Sequence, residues 1–259
     1  MTFGETQRTE TLGLYWACQE DCLMFNINTE FSKKVTKRTI LSEIAQIFDP
    51  LGLLGPCVIL AKIMMQRLWL CKNQWDESLP ADLDTSWKRF REQLQQVNYV
   101  KITRHVLCDN PVRVEIYGFA DASLEAYGAC VYVRSEDANG KVYVRVMCSK
   151  TKVAPLKTIT VPRLELCAAL LVANLVQKVK TSLTVKIDEI VLWSDSSVCL
   201  TWIHTPPNIL QTFVGNRVSQ IQGLTQINQW NHISTKDNPA DLPSRGLSPE
   251  LIEPCELWW

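Results

Sequence analysis

Charge bias, histidine and long hydrophobic runs are what this chain of 259 residues has least of. Lys plus Arg equals Asp plus Glu at 27 each, so no global basic field draws in polyanions and any nucleic-acid contact has to be built locally. With three histidines, no second cysteine pair and no His pair completes a zinc site around Cys18 and Cys22, the one close cysteine pair. No apolar run approaches the roughly 20 residues of a membrane span, and Met1-Thr2-Phe3-Gly4-Glu5-Thr6 is no signal peptide. These absences argue against a membrane partner.

What is present suffices for a packed core. Hydrophobic residues make up 46% of the chain, and the length accommodates one large domain or two small ones. Ten cysteines are scattered, mostly through apolar strand-like or helix-like runs. They read as reduced core thiols, which implies an intracellular compartment, cytoplasmic or nuclear.

The first hundred residues predict a small module. Residues 12–27 read as two short strands around a polar turn at Gln19-Glu20-Asp21, a hairpin with no evident partner. From Thr39, apolar residues at Ile40, Leu41, Ile44, Ile47 and Phe48 form a helical stripe that Asp49-Pro50 stops. Pro56 suits the first turn of a second helix carrying Ile59, Leu60, Ile63, Met64 and Leu68. A third helix from about Asp84 puts Trp87, Phe90, Leu94 and Val97 on one face. Asp49 and Asp76 read as solvated caps. Asp84-Thr85-Ser86 matches the short signature of an aspartic peptidase, but a helical stripe follows it, so a helix N-cap is the competing reading.

From Val112 the pattern changes to strands. Val112–Ala120, Ala126–Arg134 and Lys141–Ser149 predict a meander with a turn at Asp137-Ala138-Asn139-Gly140. A long helix opens at Pro162, Ile187–Trp193 reads as an apolar strand buried on both faces, and a short helix through Leu200 and Trp202 closes at Pro206-Pro207. A helix over Leu210–Ile221, a strand near Gln229–Ser234 and a last helix follow. The order βββαβααβα predicts an α/β fold: a five-stranded mixed sheet with helices on both faces.

Four acids fall at special places in that order. Asp121 ends the first strand of the meander, Glu165 lies in the first turn of the long helix, Asp195 ends the fourth strand and Asp241 heads the final helix. The first and fourth strands can lie side by side and parallel, which would bring these carboxylates to one edge of the sheet. That many acids cannot ionise together without a compensating charge, and hard oxygen ligands suit two ions of Mg²⁺ or Mn²⁺. Two such ions about 3.5–4 Å apart serve phosphodiester hydrolysis. A cap or turn role is the alternative for each acid taken singly.

These residues carry a resemblance. Gly118-Phe119-Ala120-Asp121-Ala122-Ser123 with Gly128, Arg163-Leu164-Glu165-Leu166, Trp193-Ser194-Asp195-Ser196 and the run Asn238 to Gly246 resemble the ribonuclease H domain of retroelement reverse transcriptases. Lys37-Arg38-Thr39-Ile40-Leu41-Ser42, the run Ile47 to Leu54, Gln66-Arg67-Leu68-Trp69 and Trp75-Asp76-Glu77 resemble the polymerase-to-ribonuclease H segment of BEL/Pao retrotransposon polyproteins. That segment is also named Pao retrotransposon peptidase, an aspartic peptidase type, though no other residues support that chemistry. The resemblance implies a ribonuclease H-like fold at residues 104–259, preceded by a β-hairpin and three-helix connection at 1–103, the end of the reverse transcriptase. It implies that Asp121, Glu165, Asp195 and Asp241 bind metal and cut the RNA strand of RNA–DNA hybrids. The implied partners are the hybrid and the rest of the polyprotein, polymerase and integrase, in a virus-like particle if the element is active.

Departures from the pattern matter. No Tyr-x-Asp-Asp polymerase signature occurs, so the chain is not expected to polymerise DNA. Where many ribonucleases H carry a mobile His before the last acid, this chain has Thr235, with His232 still on the strand. Lys150, Lys152, Lys157 and Arg163 are candidates for phosphate contacts, and Ser123 and Ser196 for hydrogen bonds beside the metals; a solvated basic loop is the alternative. Trp202 and Trp230 read as core. A non-catalytic binding or assembly remnant remains a second functional reading.

Overall fold

The computed structural model describes residues 8–11, 14–27, 34–72 and 74–259, the first four as backbone only. Strands β1 (Arg8–Thr11), β2 (Leu14–Ala17) and β3 (Cys22–Phe25) pair antiparallel. The predicted hairpin is therefore formed over its described residues, Leu12 and Gly13 lying outside them. Its unforeseen partners are β1 on one side and, on the other, β4 (Ile102–Thr103), a strand of two residues with no room to display a period.

Helix α1 (Lys37–Ala45) starts at a reciprocal cap: the Thr36 hydroxyl accepts the Thr39 N–H at 3.3 Å, and the Thr39 hydroxyl accepts the Thr36 N–H at 2.8 Å. Helix α2 (Gly55–Leu70) carries Pro56 in its first turn, where a missing N–H costs nothing. Helix α3 (Ala81–Leu94) starts three residues before Asp84. Asp84 is thus inside a helix and pairs with Lys88 at 2.6 Å, while the Thr85 and Ser86 hydroxyls donate to the Ala81 and Asp82 carbonyls. This is not a peptidase turn, and the aspartic peptidase reading falls with it.

The second half supplies β5 (Arg113–Ala122), β6 (Ala126–Glu136), β7 (Val142–Val153), α4 (Val161–Ser182), β8 (Glu189–Ser194), α5 (Ser197–Ile203), α6 (Thr212–Leu224), β9 (Trp230–His232) and α7 (Asp241–Arg245). The sheet order is β7-β6-β5-β8-β9, antiparallel through the meander and parallel at β5·β8 and β8·β9. This is the expected five-stranded mixed sheet. One face packs Ile116, Ala120 and Leu192 against Val172 and Val176 of α4 and Val218 of α6. Gly118 lets α4 approach: a Cβ there would meet Leu192 and Val172 side chains at 2.8 Å.

The other face is covered by α2 and α7. Cys130, Tyr132 and Val146 of the sheet share one core with Ile40, Leu54, Trp87 and Phe90 of the first module. Trp258, fully buried between them, donates its indole N–H to the Leu53 carbonyl at 2.9 Å and accepts the Tyr132 hydroxyl on its own carbonyl at 2.8 Å. The Ser149 N–H adds a bond to the Leu51 carbonyl at 2.8 Å. Strand β8 departs from its expected double burial. Leu192 and Ser194 are buried, but Ile190, Val191 and Trp193 are only partly so, because the three-residue β9 beside them shields little. Among the described residues no helix is long and apolar enough to cross a membrane, and all ten cysteines are free thiols.

Candidate metal-binding active site

Parallel pairing of β5 with β8 puts Ala120 opposite Ser194, so the next residues, Asp121 still on β5 and Asp195 just past the end of β8, stand side by side. Helix α4 brings Glu165 to them. Glu165 is the fifth residue of that helix, in its second turn rather than the expected first. Ligand oxygens of Asp121, Glu165 and Asp195 all lie within 4.8 Å of one another. Asp121 is 1% exposed and Glu165 6%, so neither charge is spread into water. Asp241 heads α7 as expected, but its carboxylate turns to the Arg245 guanidinium one turn on and stands outside this close group.

The electrostatics follow from that crowding. Burial pushes the Asp121 carboxyl up to about 7; the Asp195 and Asp241 charges add to it, while the Ser244 hydroxyl and Arg245 oppose it. Burial likewise pushes Glu165 up to about 9, helped by the Asp121 and Asp195 charges and opposed by the Ala122 backbone N–H and Arg245. Glu165 Oε2 and Asp195 Oδ1 are buried with no hydrogen-bond partner. Three converging carboxylates, with Asp121 and Glu165 raised by burial and with unpartnered oxygens on Glu165 and Asp195, are a donor set that fits a hard divalent cation such as Mg²⁺ or Mn²⁺.

A layer of side chains behind the acids holds them in place. The Ser244 hydroxyl donates to Asp121 Oδ2, and the Thr235 hydroxyl donates to Asp195 Oδ2 at 2.7 Å. Helix α7 is itself tied to the sheet: Thr151 Oγ1 donates to the Pro243 carbonyl at 2.7 Å, Ser123 Oγ to the Ser244 carbonyl at 2.8 Å and Asn238 Nδ2 to the Ala120 carbonyl at 3.2 Å. Ser244 and Arg245 had no assigned role in the sequence. Their signal is position, since residues three and four beyond Asp241 share its helix face. Thr235 stands where the resemblance led one to look for a histidine, and His232 is an exposed residue of β9, on the strand as expected.

The proposed substrate contacts are placed as follows. Lys150 and Lys152 are exposed on β7, and Lys157 is exposed in the loop after it. Arg163 lies in the first turn of α4 with its guanidinium 5.2 Å from the Phe213 ring centre. Both serines have intramolecular work: Ser123 as above, and Ser196 as the cap that accepts the Cys199 N–H at 3.2 Å. Trp230 is core and Trp202 packs partly buried against the same cluster. Asp76 is exposed and paired with Arg38, but Asp49 is not a solvated cap: its two oxygens accept the Leu53 and Leu54 N–H groups at 2.8 Å, and burial pushes it up to about 6.

Three solved ribonucleases H are similar to this chain. The N-terminal RNase H domain of a Mycobacterium tuberculosis protein matches at 14% identity over 52% of this chain and 91% of its own, with a TM-score of 0.34. LC11-RNase H1, isolated from compost and solved in complex with an RNA/DNA hybrid, matches at 15% identity over 50% of this chain and 91% of its own, TM-score 0.34. RNase H1 from the archaeon Halobacterium salinarum matches at 15% over 51% and 95%, TM-score 0.32. No curated protein matches. The model of the Pao retrotransposon-like RNaseH-like domain matches residues 36–196, more than half of the chain, and this span contains Asp121, Glu165 and Asp195. The chain belongs to the Pao retrotransposon-like RNaseH-like domain family.

Proposed function

We propose that this chain is a metal-dependent endonuclease that hydrolyses the RNA strand of RNA–DNA hybrids. The observation that carries the reading is the meeting of Asp121, Glu165 and Asp195 within 4.8 Å at one end of the sheet. Those three would hold the divalent cations, with Asp241 completing the set once its carboxylate leaves Arg245. When bound, such ions supply activation of a water and neutralisation of charge at the departing oxygen. The residues around them do the positioning. Ser244 and Thr235 fix the rotamers of Asp121 and Asp195, and the buried position of Asp121 and Glu165 limits competing water. Residues 1–103 are proposed as the connection preceding a ribonuclease H domain at 104–259, within a polyprotein.

One observation favours a second reading, a binding or assembly module without catalysis: the ion pair that engages Asp241 with Arg245. A single assay separates the two. An end-labelled RNA–DNA hybrid is expected to be cut in its RNA strand in Mg²⁺ or Mn²⁺, to stay intact with chelator, and to stay intact with Asp121→Asn. Tight hybrid binding with no cut in either metal would move the assignment to the binding module.

A further inference from the structure

A second charged site lies at the sheet edge, in a cleft of about 490 Å³ where the first module meets β7 and α4. Three cations converge there from three elements: Lys62 of α2, Lys150 of β7 and Lys178 of α4. Among the described residues none of the three has a carboxylate at ion-pair distance; Lys62 makes one long bond, 3.4 Å, to the Thr151 carbonyl. The one acid in the cleft, Asp49, turns both oxygens to the Leu53 and Leu54 N–H groups; its charge acts on Lys62 from a distance, with no ion pair to any of the three lysines. Burial holds Lys62 below its ordinary range, opposed by Asp49 and deepened by the Lys150 charge. Cations placed this way are poised for an anion. Ile47 and Leu175 give the cleft an apolar wall as well, which suits a group larger than an inorganic ion.

The strand register fixes where this cleft stands relative to the acids. Gly128 of β6 pairs with Asp121 on one side and with Thr151 on the other. Two interstrand steps separate those rows, roughly 10 Å, and Lys150 is adjacent to Thr151. A polynucleotide with one phosphodiester at the carboxylates therefore has a neighbouring part of its backbone within reach of the cleft. We propose that Lys62, Lys150 and Lys178 bind a backbone phosphodiester of the nucleic-acid substrate, so that the first module takes part in holding substrate and is more than a spacer. The nature of that substrate, an RNA–DNA hybrid, rests on the function proposed above; the cleft itself does not.

The test is hybrid binding by fluorescence anisotropy, in chelator so that nothing is cut, across a salt series. Each lost phosphate contact lowers the slope of log K against log salt by about 0.9. Because Lys150 and Lys178 are exposed, Lys150→Gln/Lys178→Gln should fold normally and lower the slope by up to about 0.9, the share of the one phosphodiester the cleft holds; adding Lys62→Gln should complete that loss, with an affinity loss of about tenfold or more at low salt. Unchanged slopes in a folded double variant would overturn the proposal. So would a thermal shift of the wild type by inorganic phosphate that the variants lose while their hybrid slopes stay the same, which would make the cleft a small-anion site. Failure of the nuclease reading looks different. A wild-type chain that leaves hybrid uncut in Mg²⁺, yet binds a DNA oligonucleotide with a slope the lysine variants reduce, would leave the cleft standing alone.

Discussion

At the scale of single residues the carboxylate group sets the behaviour of the metal-free protein. Asp121 and Glu165 have folded-state pKa values raised to about 7 and about 9, above those of an unfolded chain. A carboxyl whose folded pKa is raised binds its proton more tightly in the native state, so stability is complete below the unfolded value near 4 and is lost as pH rises toward the folded values. Asp49, raised to about 6, acts in the same direction. In chelator the protein should therefore lose several kcal/mol of stability between pH 5 and pH 9, lowering the unfolding midpoint by about 10 °C or more. Millimolar Mg²⁺ should recover much of the loss at the alkaline end, because a cation that binds only the folded state stabilises it. Asp121→Asn should flatten the profile. Calorimetry over that pH range checks this, and a midpoint that rises with pH in chelator would contradict the buried, crowded placement of these acids.

At the scale of elements, the short helix α7 is the piece that assembles the site, since it carries Asp241, Ser244 and Arg245 against β5 and β6. Its fit depends on Gly128, where a Cβ would lie 2.9 Å from the Pro243 backbone. Gly128→Ala should push α7 off the sheet, costing about 1–3 kcal/mol of stability and lowering hybrid cleavage by more than the same loss of stability does in a remote variant. Urea unfolding beside initial cleavage rates measures both. Much of this element-level picture was legible from pattern. The period-two strands around Asp121, the helix stops at Pro50 and Pro206 and the helix starts at Pro56 and Pro162 located most elements to within a few residues, and parallel β5·β8 pairing followed from their order. What was not legible depends on contacts across the fold. Asp241 at the head of α7 gives no hint that its carboxylate prefers Arg245, Thr235 shows no sign of reaching Asp195, and β4 at two residues is too short for any periodicity. The misjudged burial of β8 has the same cause, because an apolar run reports what a strand can bury and not what its neighbours cover.

At the scale of the whole molecule, the two modules share one core, and the C-terminal residues hold them together. Trp258 reaches from the end of the chain to bond the Leu53 carbonyl on one module, while its own carbonyl takes the Tyr132 hydroxyl on the other, with its ring fully buried among both. Removing that side chain opens a large cavity and leaves the Leu53 carbonyl without its donor, a combined cost of about 3–5 kcal/mol. The core it occupies is continuous from Ile40 and Trp87 through Tyr132 and Val146, so the wild-type chain should unfold in one transition. Trp258→Ala should lower the urea midpoint. If the shared core makes the modules interdependent, the variant should still unfold in one step when followed by tryptophan fluorescence and by far-ultraviolet circular dichroism. Should the two probes separate into an early and a late transition, the modules would be independent units that Trp258 merely joins. In that case the lysine cleft between them would form only while they are docked, and Trp258→Ala would reduce the salt slope of hybrid binding before the carboxylate end of the sheet is disturbed.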